Sequence, residues 1–295
     1  MRYIEFEKVV ETIESLCIAA GYELPDDVLA ALKKAAQKES NPAAVKVLNQ
    51  LIENALIAKA ESIPLCQDTG LAVVFVECGS EVAIRLPTKK RRATLDDAIN
   101  AGVAAGFQKG YLRKSVVAEP LNKRKNTGSN TPAIIHHTII PGETLKLSVM
   151  LKGAGCENKS QFRMFRPTVE KQQIIDWIVD VVKGAGADAC PPFIVGVGIG
   201  GDFELSCLIS KKALLRNLNS KNKDKPAKHT AGKFYAELEK ELLSQINALG
   251  LGPQGLGGDT TALAVLVETA PCHIASLPVA VNIECHSHRH KSAVI

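Results

Sequence analysis

Apolar positions recur at helical spacing through the first sixty residues and then give way to short apolar runs. Val9, Ile13, Leu16, Cys17 and Ala20 lie three or four apart, which predicts an amphipathic helix closed by Gly21. "LPDDVLAALKKAA" predicts a second helix, with Pro25 near its first turn and Asp26 and Asp27 suited to the positive end of the helix dipole. Asn41 and Pro42 open a third, "NPAAVKVLNQLIENALIAKA", as N-cap and first helical residue. Beyond it, "CQDTG" is a turn and "LAVVFVECG" a strand. Residues 94–110 predict a helix, with Thr94 and Asp97 as a capping box. "AIIHHTII" and "LKLSVMLKG" predict two strands joined by the turn "PGET". A helix from Thr168 to about Lys183 precedes the apolar strand "PPFIVGVGIGG". "FELSCLISKKALL" and "AGKFYAELEKELLSQINALG" predict two more helices, the latter closed by Gly250. "TTALAVLVETA" and "IASLPVAVNIEC" predict the last strands.

This order predicts an α+β fold: an N-terminal helical segment over 1–60, followed by mixed or antiparallel sheets covered by helices over 61–295. The whole chain reads as one functional domain. No internal repeat or low-complexity linker breaks it, and the Lys-rich stretch from Asn219 to Thr230 is read as a surface loop.

Composition narrows the class. The chain has 295 residues, 46% of them hydrophobic, and a formal charge of +5. That is ample for a packed core. There is no run of about 18 apolar residues, so no membrane span is expected. The opening "MRYIEFEKVVETIESL" lacks the apolar stretch of a secretory signal, so a cytoplasmic protein is expected. Two basic clusters, Lys89 to Arg92 and Lys221 to His229, lack interleaved aromatics and read as solvated turns rather than a nucleic-acid surface. A basic balance also suits an enzyme that gathers anionic substrates.

Eight cysteines are scattered along the chain, and none forms CxxC, which argues against a zinc ribbon or a thioredoxin motif. Cys17, Cys78 and Cys207 fall within helices or at a strand end and read as small buried hydrophobes. Cys66, Cys190 and Cys285 fall instead at the ends of regular elements, where side chains can project into a shared cavity. Three thiolates on separate segments are compatible with zinc or with an iron–sulfur cluster, and the spacing does not choose between them. "KGAGCENKS" is a turn whose amides at Gly153 and Gly155 can approach an anion closely. "GVGIGG" departs from the dinucleotide fingerprint, and no acidic residue follows at the required distance. The closing "CHSHRH" packs Cys285, three histidines and Arg289 into a tail, a place where chains fray unless something holds them.

Taken together and in this order, "PLCQDTG", "YLRKSV", "NTGSNTP", "KGAGCENKS", "ACPPFIVGVGIGG", "GPQGLGGDTTALAV" and "APCHIASLPVAVNIECHSHRH" resemble the α subunit of class I, iron–sulfur fumarate hydratase, over the whole chain. The resemblance implies a [4Fe–4S] cluster with one open iron, held by Cys66, Cys190 and Cys285. It implies substrate contacts from Gln67, Arg113, Gly153 and Gly155, and proton transfer by Asp68 with His273. Related enzymes commonly carry Ser where this chain has Cys156, so Cys156 is not assigned as a ligand. In two-subunit members a β chain carries the C-terminal domain, so a β subunit is the expected partner and a dicarboxylate the expected substrate. The polar residues after Cys285 are then expected to line the entrance or an interface. L-tartrate dehydratase is the alternative within the class. A non-catalytic iron–sulfur sensor is the alternative outside it.

Overall fold

The computed structural model of the chain describes residues 1–87, 92–218 and 232–295. The loop read at Asn219 to Thr230, the Lys221 to His229 cluster and most of the Lys89 to Arg92 cluster lie outside the described residues. Along the chain run β1 (Arg2–Glu5), α1 (Phe6–Tyr22), α2 (Asp26–Lys38), α3 (Pro42–Glu61), β2 (Leu71–Gly79) and β3 (Val82–Arg85). They are followed by α4 (Leu95–Lys109), β4 (Ile134–Ile140), β5 (Leu145–Lys152), the single turn α5 (Ala154–Glu157) and β6 (Gln161–Phe165). The remainder comprises α6 (Lys171–Ala185), β7 (Phe193–Gly200), α7 (Phe203–Ala213), α8 (Gly232–Asn247), β8 (Ala262–Ala270), β9 (Leu277–Glu284) and β10 (His290–Val294). The α+β class is as expected. The two predicted N-caps form: Asn41 Oδ1 accepts from Ala43 N at 2.9 Å, and Thr94 and Asp97 make the reciprocal capping box; Gly21, expected to close α1, lies inside it, and Glu23 is the C-cap.

Two compact units divide the chain. Unit one holds residues 1–25, 54–154 and 289–295. Its main sheet has the order β10-β5-β2-β4, with β2 parallel to β4 and antiparallel to β5. β4 and β5 are joined by residues 141–144 as expected, yet they do not pair with each other, because β2 lies between them. The reason is in β2 itself: five consecutive buried residues, Ala72 to Val76, make it a central strand that needs a neighbour at each edge. Ala72, Val74 and Val76 join Leu145, Leu147, Val149 and Leu151 of β5 in one core. Val9, Ile13, Leu16 and Cys17 of α1, with Ile99, Val103 and Phe107 of α4, close over it.

Unit two holds residues 26–53 and 155–288. Its sheet has the order β6-β9-β7-β8, with β7 parallel to β8 and antiparallel to β9. Val195, Val197, Val267, Val281 and Ile283 pack with Ile175, Ile178 and Val182 of α6 and Leu238, Leu242 and Ile246 of α8. The glycines of "GVGIGG" serve packing. A Cβ on Gly196 would stand 2.0 Å from the Ser210 carbonyl oxygen, and one on Gly198 would stand 2.1 Å from that of Ser206. Only glycine lets α7 lie this close to β7.

Candidate active site

In unit one, the turn after α3 is fixed at both ends. Leu65 is buried, its N–H donates to Gly21 O at 2.9 Å, and its carbonyl accepts from Asn54 Nδ2 at 3.0 Å. Cys66 follows, half-buried, then exposed Gln67 and half-buried Asp68. Each later residue of the turn is tied down by a different segment. The Asp68 carboxylate accepts from Ala154 N at 2.8 Å, and its carbonyl accepts from Arg289 Nη2 at 2.7 Å. Thr69 Oγ1 donates to the Arg113 carbonyl at 2.8 Å. Asn130, fully buried, donates from Nδ2 to Gly70 O at 3.1 Å. Its Oδ1 accepts from Ser115 N at 2.7 Å and from Val116 N at 3.2 Å. "CQDTG", "YLRKSV" and "SNTP", far apart in sequence, thus form one hydrogen-bonded frame. On it the Arg113 side chain is exposed, and its guanidinium has no hydrogen bond or ion pair among the described residues. Gly153 is buried at the end of β5.

In unit two, Cys190 follows a single 3-10 turn and takes a left-handed conformation, φ 56° and ψ 66°. A non-glycine residue there is strained, and such strain gathers at functional sites. The Cys190 carbonyl lies 3.2 Å from His286 Nδ1, while Gln254 Nε2 donates to Pro191 O at 3.0 Å. Two motifs, "ACPP" and "GPQG", therefore meet the segment after Cys285. Cys285 is buried, with Sγ 3.1 Å from Ser287 Oγ. Its N–H donates to Glu284 Oε1 at 3.3 Å, and the same oxygen accepts from Cys156 Sγ at 3.3 Å. Ligand atoms of Cys156, Glu284 and Cys285 all lie within 4.8 Å of one another. Gly155 is exposed. His273 is exposed too, and its Nδ1 accepts from Ala275 N at 3.1 Å. When neutral, the ring therefore carries its proton on Nε2.

Of the cysteines read as small buried hydrophobes, Cys17 is buried, whereas Cys78 and Cys207 are only half-buried. Cys17 is fully buried, and burial pushes its thiol up to about 12. Burial also raises Cys78 and Cys207. A thiol held protonated is a poor metal ligand. One expectation is corrected. Ser287, His288 and Arg289 line no entrance: they are 3%, 0% and 1% exposed. His288 Nε2 lies 2.7 Å from Leu214 O, and Arg289 is anchored on Asp68. The tail is buried rather than frayed, with contacts from His288 to Leu214 and from Arg289 to Asp68.

Glu284 and Asn130 were not singled out from the sequence, and Arg289 was named only as a member of the tail. Glu284 had a signal: with Asn282 it interrupts the otherwise apolar strand "LPVAVNIE" just before Cys285, and a buried carboxylate in such a strand needs a local partner. Arg289 had none beyond its place in the tail.

The chain matches the Fumarate hydratase (Fumerase) family over residues 10–294. It is 37% identical over 286 residues to a Methanocaldococcus jannaschii protein provisionally named L(+)-tartrate dehydratase subunit alpha, covering 96% of this chain and 95% of that one. It is 29% identical over 290 residues to the L(+)-tartrate dehydratase subunit alpha of Escherichia coli K12, covering 98% and 91%. The protein of that name from Shigella boydii matches with the same 29% over 290 residues.

Proposed function

The chain belongs to the fumarate hydratase (Fumerase) family and is a hydro-lyase, and on that premise we propose that it is the α subunit of a two-subunit enzyme adding water reversibly to fumarate to give L-malate. The observation that carries this reading is the frame of unit one. It presents Gln67, Asp68 and an uncommitted Arg113 from segments locked together by Thr69 and Asn130. A dicarboxylate needs such a cation, because its charge must be met as water is excluded.

The family motifs assign a [4Fe–4S] cluster to Cys66, Cys190 and Cys285, and its open iron would supply a Lewis acid toward a hydroxyl oxygen. The chemistry of the donors fits. All eight cysteines are free thiols, and these three lie outside helix and strand interiors. Arg113 and the amides at Gly153 and Gly155 bind and orient carboxylates. Asp68 and His273 handle the proton on the leaving hydroxyl, His273 presenting Nε2–H because Ala275 occupies Nδ1. The proton on the neighbouring carbon needs a base on the opposite face, and this role is assigned to the β subunit.

L(+)-tartrate is the second reading, favoured by the names of the relatives. Both are settled by co-expressing the chain with a β subunit, purifying without oxygen, and offering fumarate and L(+)-tartrate separately. Fumarate converted to L-malate at the higher kcat/KM is the expected result. Turnover of tartrate alone would replace fumarate with tartrate. Turnover of neither by a protein with full cluster absorbance would leave a non-catalytic iron–sulfur protein.

A further inference from the structure

Arg289 stands one residue before β10, and its carbonyl accepts from Leu151 N at 3.0 Å. It is 1% exposed and among the largest fully buried side chains of the chain. Nη2 donates to the Asp68 carbonyl at 2.7 Å. Nε and Nη1 are shut off from solvent and have no hydrogen-bond partner. No carboxylate pairs with the guanidinium among the described residues. Burying a charge without a counter-charge is costly. A lysine in this position can shed its proton, but a guanidinium cannot. The Asp68 carbonyl supplies a dipole, not a charge. A chain that keeps such a group therefore has an anion to set against it.

We propose that Arg289 is a positioning residue for anion binding: Nη2 fixes the main chain of Asp68, and its uncompensated charge, held behind the Gln67–Asp68 turn, is the counter-charge for a dicarboxylate received by that turn. This deepens the hydro-lyase reading and rests on it. The arrangement serves preorganisation, since the cation is in place before the ligand arrives.

The test compares wild type, Arg289→Met and Arg289→Lys in the full chain with its β subunit. Thermal midpoints are measured against succinate, a dicarboxylate that cannot be hydrated, with sulfate and chloride at equal ionic strength. Ligand that binds only the folded protein raises the midpoint in a saturable way. Succinate is expected to stabilise wild type more than sulfate does. Arg289→Met should fold with an unliganded midpoint at or above wild type, because an apolar chain of similar length relieves the buried charge. Its apparent Kd for succinate should rise about tenfold or more, the scale of a lost charge-assisted hydrogen bond, and KM should rise more than kcat falls. Arg289→Lys should recover part of the affinity. An Arg289→Met protein that fails to fold, or that binds succinate as tightly as wild type, overturns the proposal. So does equal protection by sulfate. Those outcomes leave turnover of dicarboxylate by wild type untouched. A wild type that binds succinate through Arg289 but turns over no dicarboxylate defeats the hydro-lyase reading alone.

Discussion

Gly70 shows how little freedom the Cys66–Gly70 turn has. Its φ is +78°, and a Cβ there would stand 2.2 Å from the Lys152 carbonyl oxygen, so both backbone conformation and space demand glycine. Gly70→Ala is expected to cost on the order of 3 kcal/mol in urea denaturation and to abolish turnover even where the fold survives. The cysteines make a second prediction. Iodoacetamide at pH 8 should label exposed Cys272 quickly and leave Cys17 unmodified in the folded state, since burial holds that thiol protonated up to about 12. Rapid labelling of Cys17, read by peptide mass, would place it outside the core. At this scale the turn "CQDTG" was legible, because its small and polar residues are consecutive letters. Arg289 was not. Whether an arginine is buried and uncompensated depends on what arrives beside it from 221 residues away, and no local pattern encodes that.

The long elements follow from periodicity alone, the short ones do not. α1, α4 and α6 bury stripes that the sequence spells out, and β2, β7 and β9 are apolar enough to demand burial on both faces. β1, β3, β6 and β10 have four or five residues each and mixed polarity. β6 and β10 add to open edges, of β9 and β5 respectively, and β1 and β3 pair only with each other, which is a tertiary cause in each case. Asn130 acts between elements in the same way. Asn130→Ala removes three hydrogen bonds joining the Gly70 turn to residues 115–116, and should cost about 2–4 kcal/mol and weaken succinate binding. Glu268 on β8 gives a pH prediction. Burial raises its carboxyl above the ordinary value of 4.5, and Glu239 adds to this against Arg216 and Lys212. A carboxyl raised in the folded state makes the native form the stronger proton binder, so its contribution declines as pH rises from about 4.5 through the folded value. Glu268→Gln should flatten that decline in urea midpoints and be neutral or stabilising at pH 7. A variant with an unchanged slope would show that Arg216 compensates Glu268 fully.

For the whole molecule, the division into two units cuts across the helical opening segment, since residues 26–53 belong with unit two and 54–61 with unit one. Contact, not sequence order, defines the units, which is why no linker composition marks them. Cys66 lies in unit one, and Cys190 and Cys285 lie in unit two. At this scale we expect the cluster-loaded chain alone to show less than about 1% of the turnover of the α–β pair, the loss of one acid–base group being worth about 10²–10⁴. Equal turnover would place the missing base within this chain. The seven residues from Arg289 to Ile295 close unit one's sheet, yet a ribosome makes them after all of unit two. Unit one therefore keeps an open strand edge, and a turn lacking its anchor, until these residues are made. The Cys66–Gly70 turn is thus anchored by a residue made 221 positions after Asp68.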